Sequence, residues 1–230
     1  MTIGAGEGVR HEGVRAARFS FRCGACGTCC QGKAIRLLPY ETLRLARRLG
    51  LTTGEFLATC TESGGSVLRV DAEERCLFVD GGRCRVHADR PLACRLYPLG
   101  RLVTREGERF VRVPLDPGCR GQMSMDGTIG AYLDEQGVQP FVEWEARYAA
   151  LLPRLATLAQ RLAAEPAPAD EAPAGSLASR WLDPDGCLGL DGDPLPDAES
   201  TAAQHFAALT TWLDRLEVAS APPVVTAPGG

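Results

Sequence analysis

An α+β fold is predicted: a small, irregular, metal-nucleated unit with short helices and a few short strands, then packed helices and a flexible acidic tail. Three observations predict it. Eight of the ten cysteines fall in two groups before residue 120, too dense for packing alone. Between them run short apolar stretches bounded by Gly, Asp and Pro, which suit short strands. From Thr128 to Ala164 the apolar residues recur at helical spacing.

Residues 1–20 read as a flexible arm. Gly4 to Gly8 lacks the Gly-x-Gly-x-x-Gly spacing and follows no strand, so a dinucleotide loop is rejected. Pro39 suits the first position of a helix that carries Leu45 and Leu49 on one face and stops at Gly50. Thr52, with Glu55 three residues on, opens a second short helix. Ser66 to Val70 and Leu77 to Val79 read as strands, and Asp80-Gly81-Gly82 as the turn leaving the second. Pro91 begins a helix capped by Asp89 or Arg90, which puts Cys94 in its first turn. Leu99 to Thr104 and Arg109 to Val113 form a hairpin around Arg105 to Glu108.

In the helical stretch, Phe141, Trp144 and Tyr148 read as core, and Pro140 and Pro153 divide it into two or more helices. The cysteine-cluster domain with these helices spans 21–164. Residues 165–175, rich in Pro, Ala and Glu, compose a linker. Residues 176–230 form an acidic tail with one helix over 201–218, which docks on the domain or binds a partner.

The net charge of −4 hides an asymmetry. Residues 1–120 hold 20 Arg+Lys against 13 Asp+Glu (+7), and residues 121–230 hold 5 against 16 (−11). A basic, cysteine-rich half suits thiolates and anionic clusters. The acidic half and the lack of a base-stacking aromatic array argue against nucleic acid. No apolar run approaches the roughly 20 residues of a membrane span. Residues 1–22 hold no apolar signal core, so a cytoplasmic setting is expected, where clustered cysteines stay reduced and act as ligands.

Cys23, Cys26, Cys29 and Cys30 lie within eight residues. Cys-x2-Cys-x2-Cys matches the opening ligands of a ferredoxin-type loop, and the small residues between let the backbone approach one centre. Gly24 and Gly27 are expected at positive φ. Cys30 departs from the ferredoxin pattern. Adjacent cysteines project to opposite sides, so Cys29 and Cys30 suit two centres or one polynuclear centre. Cys76, Cys84, Cys94 and Cys119 are the source of further ligands, completing two four-sulfur sites or leaving structural thiols. Arg90 and Arg95 are placed to donate hydrogen bonds to thiolate or sulfide. Cys60 and Cys187 read as bystanders, His87 as a histidine bonded to backbone, and His11 and His205 as surface residues.

The series Cys-x2-Cys-x2-Cys-Cys, then Cys84-x2-His87 and Arg90-Pro-Leu-Ala-Cys-Arg-Leu-Tyr-Pro98, then Cys119, resembles the YkgJ-type cysteine-cluster family, described as zinc- or iron-chelating. The resemblance covers Cys23 to Cys119 and extends to the helical stretch Thr128 to Leu158. It implies Cys23, Cys26, Cys29, Cys30, Cys76, Cys84, Cys94 and Cys119 as metal ligands. Tyrosine is allowed at position 87, which counts against His87 as a ligand. A fainter resemblance to flagellin lysine-N-methylases implies a [4Fe–4S] cluster.

Iron–sulfur, including [4Fe–4S], and zinc both suit these thiolates; the tight triple spacing favours a polynuclear centre. Three functions stay open. The first is a metal-binding, iron–sulfur protein with a redox or accessory role and a redox or client protein partner. The second is a structural zinc module. The third is an iron–sulfur enzyme such as a protein lysine methylase-like transferase, for which no glycine-rich cofactor loop or acid/base pair is visible.

Overall fold

A computed structural model describes residues 10–164, 177–191 and 194–219, and is α+β. Its strands are β1 (Arg10–Gly13), β2 (Arg18–Arg22), β3 (Thr61–Glu62), β4 (Val67–Leu68), β5 (Val79–Asp80), β6 (Arg83–Cys84), β7 (Leu99–Thr104), β8 (Gly107–Arg112) and β9 (Gln122–Thr128). All pair antiparallel: β1-β8-β7 in one sheet, with β2-β9, β3-β4 and β5-β6 as two-stranded ribbons. The expected hairpin is present, with its turn tightened onto Arg105 and Glu106 because Gly107 opens β8 at φ +118°. The strand expected over Ser66–Val70 shortens to β4, and that over Leu77–Val79 shifts onto β5.

Helix α1 (Pro39–Leu49) separates two cores. Its limits follow from local chemistry. Pro39 supplies helical φ at the first position, Glu41 Oε2 accepts the Leu38 N–H at 2.8 Å, and Gly50 closes the helix at φ +70°. Tyr40 and Leu43 face the larger core with Phe19, Tyr132, Phe141, Trp144 and Tyr148. Leu45 and Ala46 face the smaller one with Phe56, Phe78 and Val86. Helix α2 (Thr53–Cys60) opens at Thr52, whose hydroxyl accepts the Glu55 N–H while the Glu55 carboxylate accepts the Thr52 N–H.

Helix α3 (Leu92–Leu96) carries Cys94 in its first turn, as expected, but its cap differs. The residue before the helix is Pro91, and neither Asp89 nor Arg90 caps it. The Leu92 N–H instead donates to Glu41 Oε1 at 2.7 Å, tying α3 to α1. Helices α4 (Ile129–Glu135) and α5 (Gln139–Ala164) part at Gly137, φ +60°, and at neither proline. Pro140 falls in the first turn of α5 and exposed Pro153 lies within it.

Three expectations are corrected. The described part of the arm is structured: β1 pairs with β8 and β2 with β9. The described part of the tail is no appendage either. Helices α6 (Leu177–Leu182), α7 (Pro184–Leu188) and α8 (Ala198–Ala219) pack on α1, α2 and α5. Two carboxylates anchor them. Asp185, 1% exposed, takes a bidentate bond from Arg47 (2.6 and 2.8 Å) and the Thr53 N–H (2.8 Å). Glu199 accepts the Tyr40 hydroxyl and Trp144 Nε1–H. His205, expected at the surface, is fully buried between the Tyr148 hydroxyl and the Arg180 carbonyl. The linker 165–175, residues 1–9 and residues 220–230 lie outside the described residues.

Glu41 is buried, and burial pushes its carboxyl up to about 7 against the pull of the Leu38 and Leu92 N–H groups. An acid raised on folding contributes stability fully below its ordinary pKa near 4.5 and loses it as pH rises towards 7. The loss is on the order of 3 kcal/mol. Urea midpoints at matched metal content should therefore fall across pH 4.5–7 more for the wild type than for Glu41→Gln. Parallel pH profiles would contradict this.

Candidate metal centre

The loop from Cys23 to Cys30 is pressed against two other segments. A Cβ on Gly24 would sit 2.5 Å from the Arg120 carbonyl oxygen, and one on Gly27 would sit 3.0 Å from the Gly82 oxygen. Gly27 takes φ +72° and starts a 3-10 turn, Thr28–Cys30. Gly24 does not share that conformation; positive φ falls on Ala25 instead (+47°). Gly24 is needed for close approach, which brings Cys119 beside the loop.

Donors point at the outer sulfurs. Cys23 Sγ accepts the Ala25 N–H at 3.4 Å, and Cys119 Sγ accepts the Gly121 N–H at 3.4 Å. Cys26 Sγ accepts the Arg120 N–H at 3.4 Å and the Thr28 hydroxyl at 3.1 Å. Hydrogen bonds to a thiolate favour it. The Arg120 amide, then Thr28, bring the Cys26 thiol down to about 6, with Cys119 a further donor.

The inner sulfurs come from four segments. The 3-10 turn leans Cys29 and Cys30 the same way, with Sγ atoms 4.0 Å apart, where opposite projection was expected. A hydrogen bond from Cys30 lowers Cys29 to about 7 and raises Cys30. The Cys76 N–H donates to the Cys30 carbonyl at 2.9 Å, stitching the two cysteine groups together through the backbone. Cys84 sits on β6 opposite Val79, beyond the Gly81-Gly82 turn (φ +53° and +76°). Burial pushes Cys76 and Cys84 up. It also pushes Cys94 up, although part of that side chain reaches solvent, and Cys76, Cys84 and Cys29 add to the rise. These thiols oppose one another's ionisation, so a nearby cation is what would let them ionise together.

All eight proposed ligands thus lie on segments that the fold packs together. Among the described residues, however, no three Cys, His, Asp or Glu side chains already stand in a group that could hold a metal ion. The sulfurs meet as pairs, Cys29 with Cys30 and Cys26 with Cys119. Cys60 belongs to the smaller core and Cys187 to α7. His87 faces Arg90, Nδ1 to Nη1 at 3.4 Å, and its pKa is lowered by burial and by Arg90 and Arg95.

The two arginines are placed otherwise than expected. Arg95 donates to the carbonyls of Ala88, Arg90 and Gln136, and its guanidinium lies 4.2 Å from the Phe141 ring centroid. Burial, then Arg90 and Arg44, bring its pKa down to about 10. Arg90 donates to the His87 carbonyl and to Gln136 Oε1. They clamp the segment that carries Cys94. The charge of Arg90, with that of Arg85, acts on a thiol, lowering Cys84 against its burial.

Two polar residues near the cysteines went unread in the sequence. Glu41 holds the start of α3. Asp116 pairs with Lys33, Oδ1 to Nζ at 2.6 Å, and its carbonyl accepts the Cys119 N–H at 3.0 Å. Lys33 was a signal in itself, as the single lysine in the chain.

Residues 22–114 match the CxxCxxCC family model, described as "Putative zinc- or iron-chelating domain". No curated protein and no solved structure matches the chain. The CxxCxxCC match takes in seven of the eight proposed ligands and stops before Cys119. It also stops before α4 to α8, so the larger core lies partly outside it. No helix among the described residues is long and apolar enough to cross a membrane.

Proposed function

We propose that this is an iron–sulfur protein with a redox or accessory role, its centre held by Cys29, Cys30, Cys76, Cys84 and Cys94 with Cys23, Cys26 and Cys119 on the outer side. The observation that carries this reading is the gathering of inner thiols that raise one another's pKa, with Cys29 and Cys30 side by side. Adjacent sulfurs on one side suit a polynuclear centre better than one tetrahedral ion. When bound, such a cluster supplies one-electron chemistry. The chain's own residues hold it, shield it and set its surroundings. Amides at Ala25, Arg120 and Gly121 donate to outer sulfurs. Arg90 adds positive charge near Cys84, and Arg95 fixes the segment bearing Cys94. A protein partner exchanging electrons or metal, in a reducing cytoplasm, fits this chemistry.

A second reading, a structural zinc module, draws on the N–H donors to Cys26 and Cys119, which suit mononuclear thiolate sites equally. Elemental analysis with acid-labile sulfide, on protein purified without air, separates the two. The cluster reading expects iron and sulfide in comparable amounts and a brown colour. Colourless protein with stoichiometric zinc and no sulfide would replace it with the zinc reading.

A further inference from the structure

One buried acidic oxygen near the cysteines has no hydrogen-bond partner among the described residues. Asp116 Oδ1 is held by Lys33 Nζ at 2.6 Å, but Oδ2 is buried without a donor among them. A buried carboxylate oxygen without a donor costs at least ~1–3 kcal/mol, so a native protein keeps one for a reason. The neighbourhood supplies that reason. The backbone of Asp116 is fixed at both ends, its N–H donating to the Tyr97 hydroxyl at 3.0 Å and its carbonyl accepting the Cys119 N–H at 3.0 Å. Its charge bears on Cys29, which it discourages from ionising, and on Tyr97. A buried carboxylate oxygen whose backbone is tied to Tyr97 and Cys119, with one cation on its other oxygen, is short of a positive partner.

We propose that Asp116 is an oxygen ligand of the metal centre, offering Oδ2 to the metal while Lys33 holds Oδ1. The assignment rests on the metal-binding reading above. It makes the ligand set mixed, with one hard, weakly donating oxygen among soft sulfurs. A metal held partly by carboxylate exchanges that ligand more readily than a thiolate. Asp116 is then the position at which an incoming group would enter the coordination sphere. Two bland explanations compete. In the first, Asp116 serves only to pair Lys33; in the second, the Tyr97 hydroxyl, on which the Asp116 side chain already acts, donates to Oδ2 after a small shift.

The test compares metal-replete wild type, purified anaerobically, with Asp116→Cys, Asp116→Ala, Lys33→Met and Tyr97→Phe. X-ray absorption at the edge of the metal found, with Mössbauer spectra if it is iron, should show a light scatterer beside sulfur in the wild type. In Asp116→Cys that scatterer should give way to sulfur. Asp116→Ala should lose metal to a chelator at least about tenfold faster, and Lys33→Met and Tyr97→Phe should keep the wild-type coordination. An all-sulfur wild type, or an Asp116→Cys spectrum identical to it, overturns the proposal. So does a Lys33→Met or Tyr97→Phe variant that reproduces Asp116→Ala. Wild type that binds no metal fails the metal-binding reading itself, whereas metal-bound wild type indifferent to Asp116 fails this assignment alone.

Discussion

Cys94→Ser is expected to strip the centre of its metal while leaving the helical layer folded. Cys94 lies among the inner thiols, and its ionisation is opposed by burial and by Cys76, Cys84 and Cys29. Serine offers no thiolate there, and its hydroxyl stays protonated at neutral pH. Metal retention against a chelator should fall by roughly 100-fold or more, given that binding free energies of thiolate sites reach ~10–16 kcal/mol. The structural response should be uneven. The smaller core has eight buried residues and leans on Cys76 and Cys84. The larger core is built on Tyr40, Phe141, Trp144, Tyr148, Leu209 and Leu213, with only Cys119 of the ligands packed against it. Hydrogen exchange should therefore quicken at β5, β6 and α3, while α5 and α8 stay protected and far-ultraviolet dichroism changes little. Cys187→Ser, on α7, should keep full metal. Retention of stoichiometric metal by Cys94→Ser would remove Cys94 from the centre.

Asp185→Asn is expected to cost about 3–5 kcal/mol in urea unfolding, the range for breaking one side of a buried ion pair. Arg47, 14% exposed, spends two N–H groups on Asp185 and a third on the Pro196 carbonyl. Asparagine keeps one acceptor and leaves the guanidinium without its counter-charge. The same carboxylate accepts the Thr53 N–H, and the Asp185 N–H donates back to the Thr53 hydroxyl at 2.9 Å. One substitution thus loosens α7 from both α1 and α2. By contrast, Arg154 with Asp214 and Glu217 is an exposed ion-pair group, and its removal should cost no more than ~1 kcal/mol. A change below that level for Asp185→Asn would mean that the Arg47–Asp185 pair does not hold the C-terminal helices in place.

What could be read in the sequence was what local chemistry decides. Pro39 and Gly50 bound α1, Thr52 and Glu55 start α2, and Asp80-Gly81-Gly82 turns the β5-β6 hairpin, because each acts on its immediate neighbours. The cysteine positions were legible for the same reason. Long-range partners were not. Strand β9 alternates Gln122, Ser124 and Asp126 with Met123 and Met125, but both methionines are exposed, and it exists because β2, about a hundred residues earlier, pairs with it. The tail looked like an acidic appendage because composition averages over residues. Among its carboxylates, Asp185 and Glu199 are the two that meet Arg47, Tyr40 and Trp144. Arg95 sat next to Cys94 in the sequence and invited a bond to sulfur. Helix geometry turned its side chain to the carbonyls of Ala88, Arg90 and Gln136.

The two-sided burial of α1 makes the cysteine-bearing stretch unsuited to life as a transplantable cassette. Cut at the end of the family match, the chain would keep Tyr40 and Leu43 but lose Trp144, Tyr148, Leu209 and Leu213, their cover. The severed piece would present an oily flank to water however firmly it gripped its ion. With a different C-terminal region, this stretch would need another lid over the flank that Trp144, Tyr148, Leu209 and Leu213 cover here.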